Sequence, residues 1–269
     1  MPMKISIVTA TYNSVKTLKD TIESVLGQTC QDYEYIVIDG NSTDGTQALV
    51  ESYRDRFGDR LVLVSEPDKG LYDAMNKGIK RASGDFIGML NSDDFFSSPY
   101  VLETVAEAIA DDSVDAVYGD VHYVKPSRLD RCVRYYSSRH FSRGRMRLGF
   151  MPAHPSFYCR AAVLKEFGFF DTDYKVAADF EQMLRLIYVQ RIRTRYVPLD
   201  FVTMRTGGIS NAGLKSHLQI MKDHRRALKA NGVWSSSLLL SMRYVYKAAE
   251  VATSRLGLRI QRQPKSHQS

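Results

Sequence analysis

The sequence predicts an α/β fold in which a mostly parallel sheet is flanked by helices. Over residues 1–124, short apolar runs alternate with helical patterns, as in βαβ units. Polar or glycine residues follow the ends of these runs, where such folds carry their connecting loops. The 269 residues, 44% hydrophobic and 25% charged, suit one large domain with a substantial core and exclude disorder over most of the length.

The elements of the first half can be justified in order from their patterns. Continuous apolar runs predict strands at residues 5–9, 35–38, 61–64, 86–90 and 116–118. Apolar residues on one helical face predict connecting helices around residues 15–26, 44–53, 71–82 and 99–109. Ser98 and Pro99 are predicted as the N-cap and first turn of the last of these helices.

After about residue 125 the pattern changes to Arg-rich connections. A helix is predicted at about 178–188, a strand at 196–204 and a helix at about 214–230. From Ser235 onward, apolar residues alternate with Arg243, Lys247 and Arg255, which predicts a basic, amphipathic C-terminal helical extension. A partly solvated helix and a membrane-surface helix both fit that pattern. We therefore divide the chain into residues 1–124, 125–232 and 233–269.

Charge is distributed unevenly between the two halves. Residues 1–124 hold 10 Lys and Arg against 21 Asp and Glu, whereas residues 125–269 hold 27 against 9, so nets of −11 and +18 give the overall +7. This asymmetry indicates an acidic half that holds a cation and a basic half that meets anionic partners. The basic residues are scattered and match no nucleic-acid-reading pattern, so nucleic acid is not an expected partner.

Cysteine usage and hydropathy indicate the cell compartment. Cys30, Cys132 and Cys159 are far apart and form no CxxC pair, which argues against a disulfide framework or a thiolate zinc site. No apolar run reaches the roughly 18 residues of a membrane span, and the start of the chain lacks the pattern of a signal peptide. We expect a protein of the reducing cytoplasm.

Chemistry-bearing residues gather directly after four predicted strands, at residues 9–13, 39–45, 66–70 and 91–94. In open α/β sheets, ligands bind beyond the carboxyl ends of the strands, so these four segments are expected to converge on one cleft. Turn chemistry alone can place such residues in a single loop. The occurrence of chemistry-bearing residues in all four loops favours a binding site.

Asp93 and Asp94 follow a strongly apolar strand, where paired carboxylates suit a divalent cation. Mg²⁺ or Mn²⁺ held there could bridge the oxygens of a diphosphate. Capping of the next helix by Asp94 is the alternative interpretation. The chain has neither a GxxxxGK[ST] phosphate loop nor a GxGxxG fingerprint, so ATPases and nicotinamide-dependent enzymes lose their usual support.

Three motifs carry a family resemblance: IVTATYNS, then YIVIDGNSTDGT, then DKGLYDAMNKGIKRASGDFIGMLNSDD. In this order and spacing they resemble the nucleotide-sugar-binding half of the family 2 inverting glycosyltransferases, which have the GT-A fold. The later segment MPAHPSFYCRAAVLKEFGFFDTDYKVAADFEQMLRL is similar to the acceptor-side segment of that family. The resemblance implies that residues 1–124 bind the donor and that residues 125–232 form the acceptor side of the same domain.

The resemblance also assigns donor-site roles. It implies that the nucleoside pocket and donor cleft are built from Thr9, Tyr12, Asp39, Asp68, Asn76, Asp85 and Ser92, with Asp39 taking the base or ribose. Asp93 would hold Mg²⁺ or Mn²⁺ at the diphosphate. The family usually begins its metal motif with Asp where this chain has Asn91, and a neutral amide weakens local cation affinity.

Inverting transfer needs a carboxylate that removes the proton of the attacking acceptor hydroxyl. The resemblance gives this role to Asp179, with Glu181 as the fallback and helix capping by Asp179 as the alternative. His154, in a Pro-flanked loop, is a candidate contact to acceptor or phosphate. Glu181 and Arg205 are further candidate contacts to acceptor or phosphate, and Arg205, with the glycines after it, is placed on a flap over the donor.

The resemblance thus implies a cytoplasmic hexosyltransferase-type enzyme that moves a sugar, most readily from a UDP-sugar, to a hydroxyl of a glycan. It further suggests bacterial surface-polysaccharide assembly, a polyprenyl-diphosphate-linked acceptor and contact with the inner face of the membrane. A sugar nucleotidyltransferase would need a glycine-rich loop after the first strand, and residues 9–14 contain no glycine. A non-catalytic sugar-nucleotide binder is hinted at by Asn91, whereas Asp179 argues against it because a binder needs no base.

Overall fold

The computed structural model describes residues 3–207 and 214–243. In this part of the chain one nine-stranded sheet is covered by helices on both faces. The strands are β1 Ile5–Thr11, β2 Tyr33–Asp39, β3 Leu61–Ser65, β4 Phe86–Met89, β5 Phe95–Phe96, β6 Ala116–Lys125, β7 Arg128–Tyr136, β8 Phe157–Arg160 and β9 Thr194–Arg205. The predicted α/β architecture is confirmed.

The sheet runs in the order β3-β2-β1-β4-β8-β6-β9-β5, with β7 paired to β6. The pairs β1–β2, β2–β3, β1–β4 and β6–β9 are parallel. The pairs β4–β8, β5–β9, β6–β7 and β6–β8 are antiparallel. The sheet is therefore mixed and not mostly parallel. Strand β8, in the middle of the sheet, runs antiparallel to both of its neighbours, and β6 and β7 form an antiparallel hairpin.

The helices are α1 Val15–Leu26, α2 Thr46–Glu51, α3 Arg54–Phe57, α4 Leu71–Arg81, α5 Val101–Ile109, α6 Ala161–Phe167, α7 Ala178–Met183 and α8 Leu214–Ala230. Helix α7 continues as a wider π-helical segment, Leu184–Val189, so the predicted helix at 178–188 is present with an altered pitch.

Helix α5 begins later than predicted. Its N-cap residue is Tyr100 and not Ser98. The reason is a partner distant in sequence: the side-chain oxygen of Gln28 accepts a hydrogen bond from Leu102 N at 3.0 Å, and the amide of the same Gln28 donates to Ser98 O at 2.8 Å. Gln28 therefore satisfies the start of α5 in place of a local cap.

The core has two layers, one on each face of the sheet. Helices α1 and α5 cover one face, and α4, α6, α7 and α8 cover the other. Every residue of β1 and β2 is buried, which is expected of parallel strands covered on both sides. This leaves the loops at the strand ends as the exposed part of the parallel half.

Helix α8 confirms the prediction at 214–230, and residues 237–243 are also helical. The rest of the predicted C-terminal amphipathic segment, including Lys247 and Arg255, lies outside the described residues, as does the part of the predicted flap at 208–213. Among the helices that the structure describes, none has the length and apolar character needed to cross a membrane.

Candidate active site

The carboxyl ends of the parallel strands meet at one edge of the sheet, as predicted. Thr11 of β1 pairs with Asp39 of β2, which in turn pairs with Ser65 of β3. The end of β4 joins them because Thr9 Oγ1 donates a hydrogen bond to Leu90 O at 2.7 Å. We refer to this line of strand ends as the carboxyl edge. It brings the four predicted loops together.

Asp39 lies beneath the surface of this edge. Its side chain is fully buried and accepts hydrogen bonds from Ser42 N at 2.9 Å, Gln47 Nε2 at 3.0 Å, Ser65 Oγ at 2.7 Å and the Ser42 hydroxyl. Thr9 is fully buried as well. Thr9 and Asp39 therefore lie at the predicted nucleoside pocket as buried side chains engaged with their own loops, and their contact with a nucleoside stays a prediction. The buried Asp39 carboxylate accepts hydrogen bonds from surrounding donors that would otherwise be left unpaired, and buried unpaired donors cost free energy.

Tyr12 and Asp68 form the exposed wall above Asp39. The Tyr12 ring is 65% exposed. A Cβ placed on Gly40 would lie 2.4 Å from Asp68 Oδ2 and 3.3 Å from Tyr12 Cδ2, so both side chains border this glycine, and the Asp68 carboxylate would have to shift if Gly40 carried a side chain. Asp68 Oδ1 accepts a hydrogen bond from Gly70 N at 2.8 Å. The wall offers a planar aromatic surface beside a carboxylate, which suits a flat, polar ring.

The loops after β1 and β2 are locked together. Asn13 and Asn41 adopt positive φ, which asparagine tolerates, and Asn13 Oδ1 accepts a hydrogen bond from Thr43 N at 2.9 Å. Asp44 accepts from Val15 N at 3.1 Å and from Thr46 N at 3.0 Å, the first residues of α1 and α2. A further hydrogen bond from the Thr46 hydroxyl, at 2.5 Å, is the main reason why the pKa of Asp44 is lowered. This aspartate therefore satisfies two helix starts.

The loop after β4 holds Asp93 and Asp94 in different environments. Asp94 is 1% exposed, and its carboxylate accepts hydrogen bonds from Asn91 Nδ2 at 2.8 Å and Arg205 N at 2.9 Å. Burial and the neighbouring charge of Asp93 raise the pKa of Asp94 to about 7. Asp94 thus fastens the end of β4 to the end of β9. Asp93 is half-buried, and burial raises its pKa too.

Ser92 connects this loop to α1. Its hydroxyl lies 3.1 Å from the hydroxyl of Ser14, and its carbonyl accepts a hydrogen bond from Thr17 Oγ1 at 3.0 Å. Thr21 Oγ1, one turn further along α1, donates to Asp94 O at 2.7 Å. The structure therefore places Ser92 at the carboxyl edge, beside the start of α1.

Arg205 is held inside the protein and is not part of an exposed flap. The side chain is 8% exposed, donates to Asp93 O and to the carboxylate of Asp20, and lies 5.0 Å over the ring of Phe95. This corrects the predicted phosphate contact: the guanidinium fixes the backbone of the Asp93 loop. Gly207 is exposed with φ +108°, and the glycine after it lies outside the described residues.

On the second side of the edge, Asp179 lies in the first turn of α7. The N-cap of that helix is Ala177, and Asp179 Oδ1 accepts a hydrogen bond from Phe180 N at 2.8 Å. Asp179 keeps part of its surface exposed but is densely surrounded by protein, and this desolvation raises its pKa to about 6. Tyr72, at the start of α4, is close enough that the charge of Asp179 helps to raise the pKa of its phenol, after burial.

An aromatic group adjoins Asp179. Phe170 lies 5.5 Å from the Tyr72 ring and 5.4 Å from the His154 ring, centroid to centroid. Burial lowers the pKa of His154 to about 4, so its imidazole is neutral near pH 7. Asn76 is 8% exposed and holds Phe170 with both ends of its amide, through Phe170 O at 2.9 Å and Phe170 N at 3.0 Å. This corrects the predicted donor contact of Asn76.

Two further predicted residues lie away from the cleft. Glu181 is 6% exposed and accepts hydrogen bonds from Arg185 Nε and Nη2, both at 3.1 Å, and from Asn231 Nδ2 at 3.2 Å. It is a packing residue and not an acceptor contact. Asp85 precedes β4 and accepts from Lys4 N at 2.9 Å. At about 3.3 Å per residue, the length of β1 separates it from the carboxyl edge by roughly 20 Å, which corrects its predicted donor role.

Sequence reasoning missed a polar cluster on β6, β7 and β9. Asp120 is 4% exposed and accepts hydrogen bonds from Tyr135 Oη and Tyr196 Oη, both at 2.9 Å. His122 Nδ1 lies 2.5 Å from Asp200 Oδ2. The available signal was a single aspartate flanked by apolar residues in the middle of each of two strands, and such aspartates need partners when buried. These groups tie the hairpin to the sheet.

Comparisons with known proteins agree with this fold. The family model described as "Glycosyl transferase family 2" matches residues 6–167, more than half of the chain. A "PGL/p-HBAD biosynthesis glycosyltransferase" from Mycobacterium bovis is 29% identical over 208 residues, covering 77% of this chain and 78% of that protein. An uncharacterized glycosyltransferase, Rv1514c, from Mycobacterium tuberculosis is 34% identical over 213 residues, covering 76% of each.

Two solved structures share the fold. Residues 1–349 of S. aureus TarS in complex with UDP-GlcNAc align with a TM-score of 0.66 at 20% identity, over 96% of this chain and 76% of that one. The mannosyltransferase PcManGT from Pyrobaculum calidifontis, in complex with GDP-Man and Mn²⁺, aligns with a TM-score of 0.64 at 17% identity, over 98% and 77%. From the matched family model and the shared sheet we conclude that the chain belongs to glycosyltransferase family 2 and has the GT-A fold.

Proposed function

We propose that this glycosyltransferase moves a sugar from a UDP-sugar to a hydroxyl of a glycan acceptor, with inversion at the anomeric carbon. The observation that carries the proposal is Asp179, a carboxylate with a pKa of about 6 beside the start of α4. The same connection from β3 to α4 carries Asp68 of the exposed wall. The candidate base therefore lies beside one end of the short connection that carries part of the candidate donor pocket.

The wall formed by Tyr12 and Asp68 is the proposed nucleoside pocket. A base can stack on the open Tyr12 ring while the carboxylate of Asp68 accepts hydrogen bonds from the base or ribose. TarS structures have been solved with UDP-GlcNAc and with UDP, whereas PcManGT was solved with GDP-Man. We assign UDP as the nucleotide and retain GDP as the comparison in the test below.

Asp93 is the proposed ligand of Mg²⁺ or Mn²⁺. Among the described residues, no group of three or more His, Cys, Asp or Glu side chains could hold a metal ion. One carboxylate still suits Mg²⁺, which takes the rest of its oxygens from phosphates and water. Asp94 is engaged with Asn91 and Arg205, so Asp93 is the carboxylate of this loop that fits the role. A bound cation would stabilise negative charge on the departing diphosphate.

Asp179 is the proposed general base. The acceptor oxygen attacks the anomeric carbon, the bond from that carbon to the diphosphate oxygen breaks, and the hydroxyl proton passes to the Asp179 carboxylate. A pKa of about 6 keeps this carboxylate ionised near pH 7 and makes it more basic than an ordinary aspartate. The neutral His154 ring is a proposed hydrogen-bonding partner of the acceptor, since it cannot offer a charge to a phosphate.

The proposed acceptor is a glycan carried on a polyprenyl diphosphate, as in bacterial surface-polysaccharide assembly. Its support is the net charge of +18 in residues 125–269. A diphosphate-linked acceptor is anionic and would be attracted by that half of the chain. We place the reaction in the cytoplasm, which fits the three cysteines, all of them free thiols.

The first experiment is calorimetric binding of UDP, GDP and dTDP, with and without Mn²⁺. We expect UDP to bind most tightly and Mn²⁺ to strengthen its binding. Asp93→Ala should lose the effect of the metal, and Tyr12→Ala should lose about tenfold in affinity both with and without Mn²⁺. Asp85→Asn is the matched control, because Asp85 is an exposed carboxylate at the opposite end of the sheet. The donor-site assignment would be overturned if Asp85→Asn lost as much nucleotide affinity as Asp93→Ala and Tyr12→Ala, or if the wild type bound no nucleotide.

A further inference from the structure

A second candidate binding site lies beside α8, outside the groups assigned to glycosyl transfer. It is a cavity of about 510 Å³ whose wall includes Lys222, Arg225, Lys229 and Trp234. The three basic residues are three and four positions apart, so they share one face of the helix. In the part of the chain that the structure describes, no acidic side chain forms an ion pair with any of the three. We call these four residues the basic cavity.

The backbone of Trp234 is hydrogen-bonded to the protein, whereas its side chain is exposed. Arg147 Nε donates a hydrogen bond to Trp234 O at 2.8 Å, and the guanidinium lies 5.0 Å over the indole. The side chain nevertheless remains 68% exposed. A large aromatic ring kept in water at the rim of a basic cavity costs free energy, and it is the residue type that favours the interface between water and lipid.

The exposed apolar surface continues along the chain. Residues 237–243 are helical, and Leu238 and Met242, four positions apart, are 78% and 51% exposed. Leu240 of the same segment is fully buried against the core, so the segment is attached to the protein by one face and presents aliphatic side chains on another. Exposed apolar side chains next to clustered positive charge are the pattern of helices that lie on membrane surfaces.

The opposite face of α8 packs against the segment that carries the proposed base. Asp223 Oδ2 accepts a hydrogen bond from Val176 N at 3.2 Å. The His224 ring is stacked on Phe180, the residue after Asp179, with 3.7 Å between centroids. One helix therefore has the basic cavity on one side and the acceptor side of the cleft on the other.

We propose that the basic cavity binds the phosphate groups of anionic phospholipids and docks the protein on a bilayer. Lys222, Arg225 and Lys229 meet the headgroup phosphates, while Trp234 and Leu238 enter the boundary between headgroups and acyl chains. A nucleic acid would satisfy the charges alone, whereas a lipid surface satisfies the charges and also covers the exposed aliphatic side chains. The proposal goes beyond the proposed function, because docking requires neither donor nor acceptor.

Trp234 makes a site-specific test possible, since it is the only tryptophan in the chain. The full chain is titrated with vesicles of phosphatidylcholine, or of equal parts phosphatidylcholine and phosphatidylglycerol, and Trp fluorescence is followed alongside co-sedimentation. We expect a blue shift and quenching by acyl-brominated lipid with the anionic vesicles only. In Lys222→Gln/Arg225→Gln/Lys229→Gln the partition coefficient should fall about a hundredfold, and it should also fall as salt is raised.

The matched control is Lys19→Gln/Lys80→Gln/Lys165→Gln, which removes three exposed charges from other helices. It should keep the wild-type partition coefficient. Equal losses in both triple variants would show general charge attraction and overturn the site. Sedimentation without a change in Trp234 fluorescence would overturn it too, as would an equal fluorescence response to heparin in solution. Nucleotide binding of each variant is measured in parallel, so failure of docking and failure of the donor site are distinguished.

Discussion

The carboxylates on the two sides of the cleft differ in where their hydrogen-bond donors come from. On the donor side, Asp39 accepts hydrogen bonds from Gln47 of α2 and Ser65 of β3, and Asp94 accepts one from Arg205 N of β9, so each carboxylate joins separate elements of the fold. On the acceptor side, Asp179 accepts one from the backbone of the next residue, Phe180. The difference teaches that the origin of a carboxylate's partners, more than its burial, separates a group that holds a fold together from one that can take up a proton.

The largest expected effect concerns the acceptor side. Asp179→Asn keeps the shape of the side chain but removes the proton acceptor, so kcat should fall about 1,000-fold while the dissociation constant for donor stays unchanged. Steady-state kinetics and calorimetry measure the two quantities. Glu181→Gln is the matched control, since Glu181 is bonded to Arg185; its kcat per folded molecule should stay near wild type. A fully active Asp179→Asn enzyme would exclude Asp179 as the base.

The second prediction concerns the donor side. Asp39→Asn replaces one acceptor oxygen with an NH2 group, which is a donor. The groups of Ser42, Gln47 and Ser65 that face it are donors too. The free energy of unfolding should fall by about 3 kcal/mol, because buried donors lose their acceptor. Urea unfolding measures this. Asp85→Asn should stay within about 0.5 kcal/mol of wild type, and a similar loss in both variants would break the comparison.

The third prediction is an opposite change at Asp179. Its pKa is raised from 3.8 to about 6, so the unfolded chain releases this proton at a lower pH than the folded one. Between those values the folded state binds more protons, and stability falls as pH rises. Asp179→Asn should therefore be more stable than wild type by about 3 kcal/mol at pH 8 and equal to it below about pH 3. A variant less stable at pH 8 would contradict the assignment.

The same protonation sets the pH dependence of the reaction. Catalysis needs the ionised carboxylate, so kcat of the wild type should fall as pH drops through about 6. Measured at saturating donor, the acid limb should fall about tenfold per pH unit once Asp179 is mostly protonated. A limb centred near pH 4 would mean that another group is titrating.

The smallest expected effect lies at Asn91, whose amide donates to Asp94 Oδ2 at 2.8 Å. Asn91→Asp replaces this donor with a third carboxylate, and repulsion should lower the free energy of unfolding by about 1 kcal/mol without divalent cations. Mn²⁺ should restore the loss if the three carboxylates share an ion. Unfolding with and without Mn²⁺ measures this, and a loss that Mn²⁺ does not change would leave Asn91 with a packing role alone.

The parallel half of the fold could be predicted because each of its strands is a continuous apolar run and each of its helices has an apolar face, and both signals are local in the sequence. Strand β8 was missed because its sequence FYCR is not a continuous apolar run, β7 because its outer residues are exposed, and β5 because it has only two residues. The roles of Asp39 and Asp94 could not be predicted, since their partners Ser65 and Arg205 are 26 and 111 positions away. A motif gives the residue type but not the atoms that meet it.

The two faces of α8 have a consequence for how the acceptor is found. Because one rigid helix carries both the basic cavity and the contacts to Val176 and Phe180, docking through the cavity fixes which way the cleft faces. A lipid-carried acceptor would then reach the cleft by lateral diffusion in two dimensions, while the nucleotide sugar enters from the water above. Turnover would follow the surface density of the acceptor in the bilayer and not its bulk concentration.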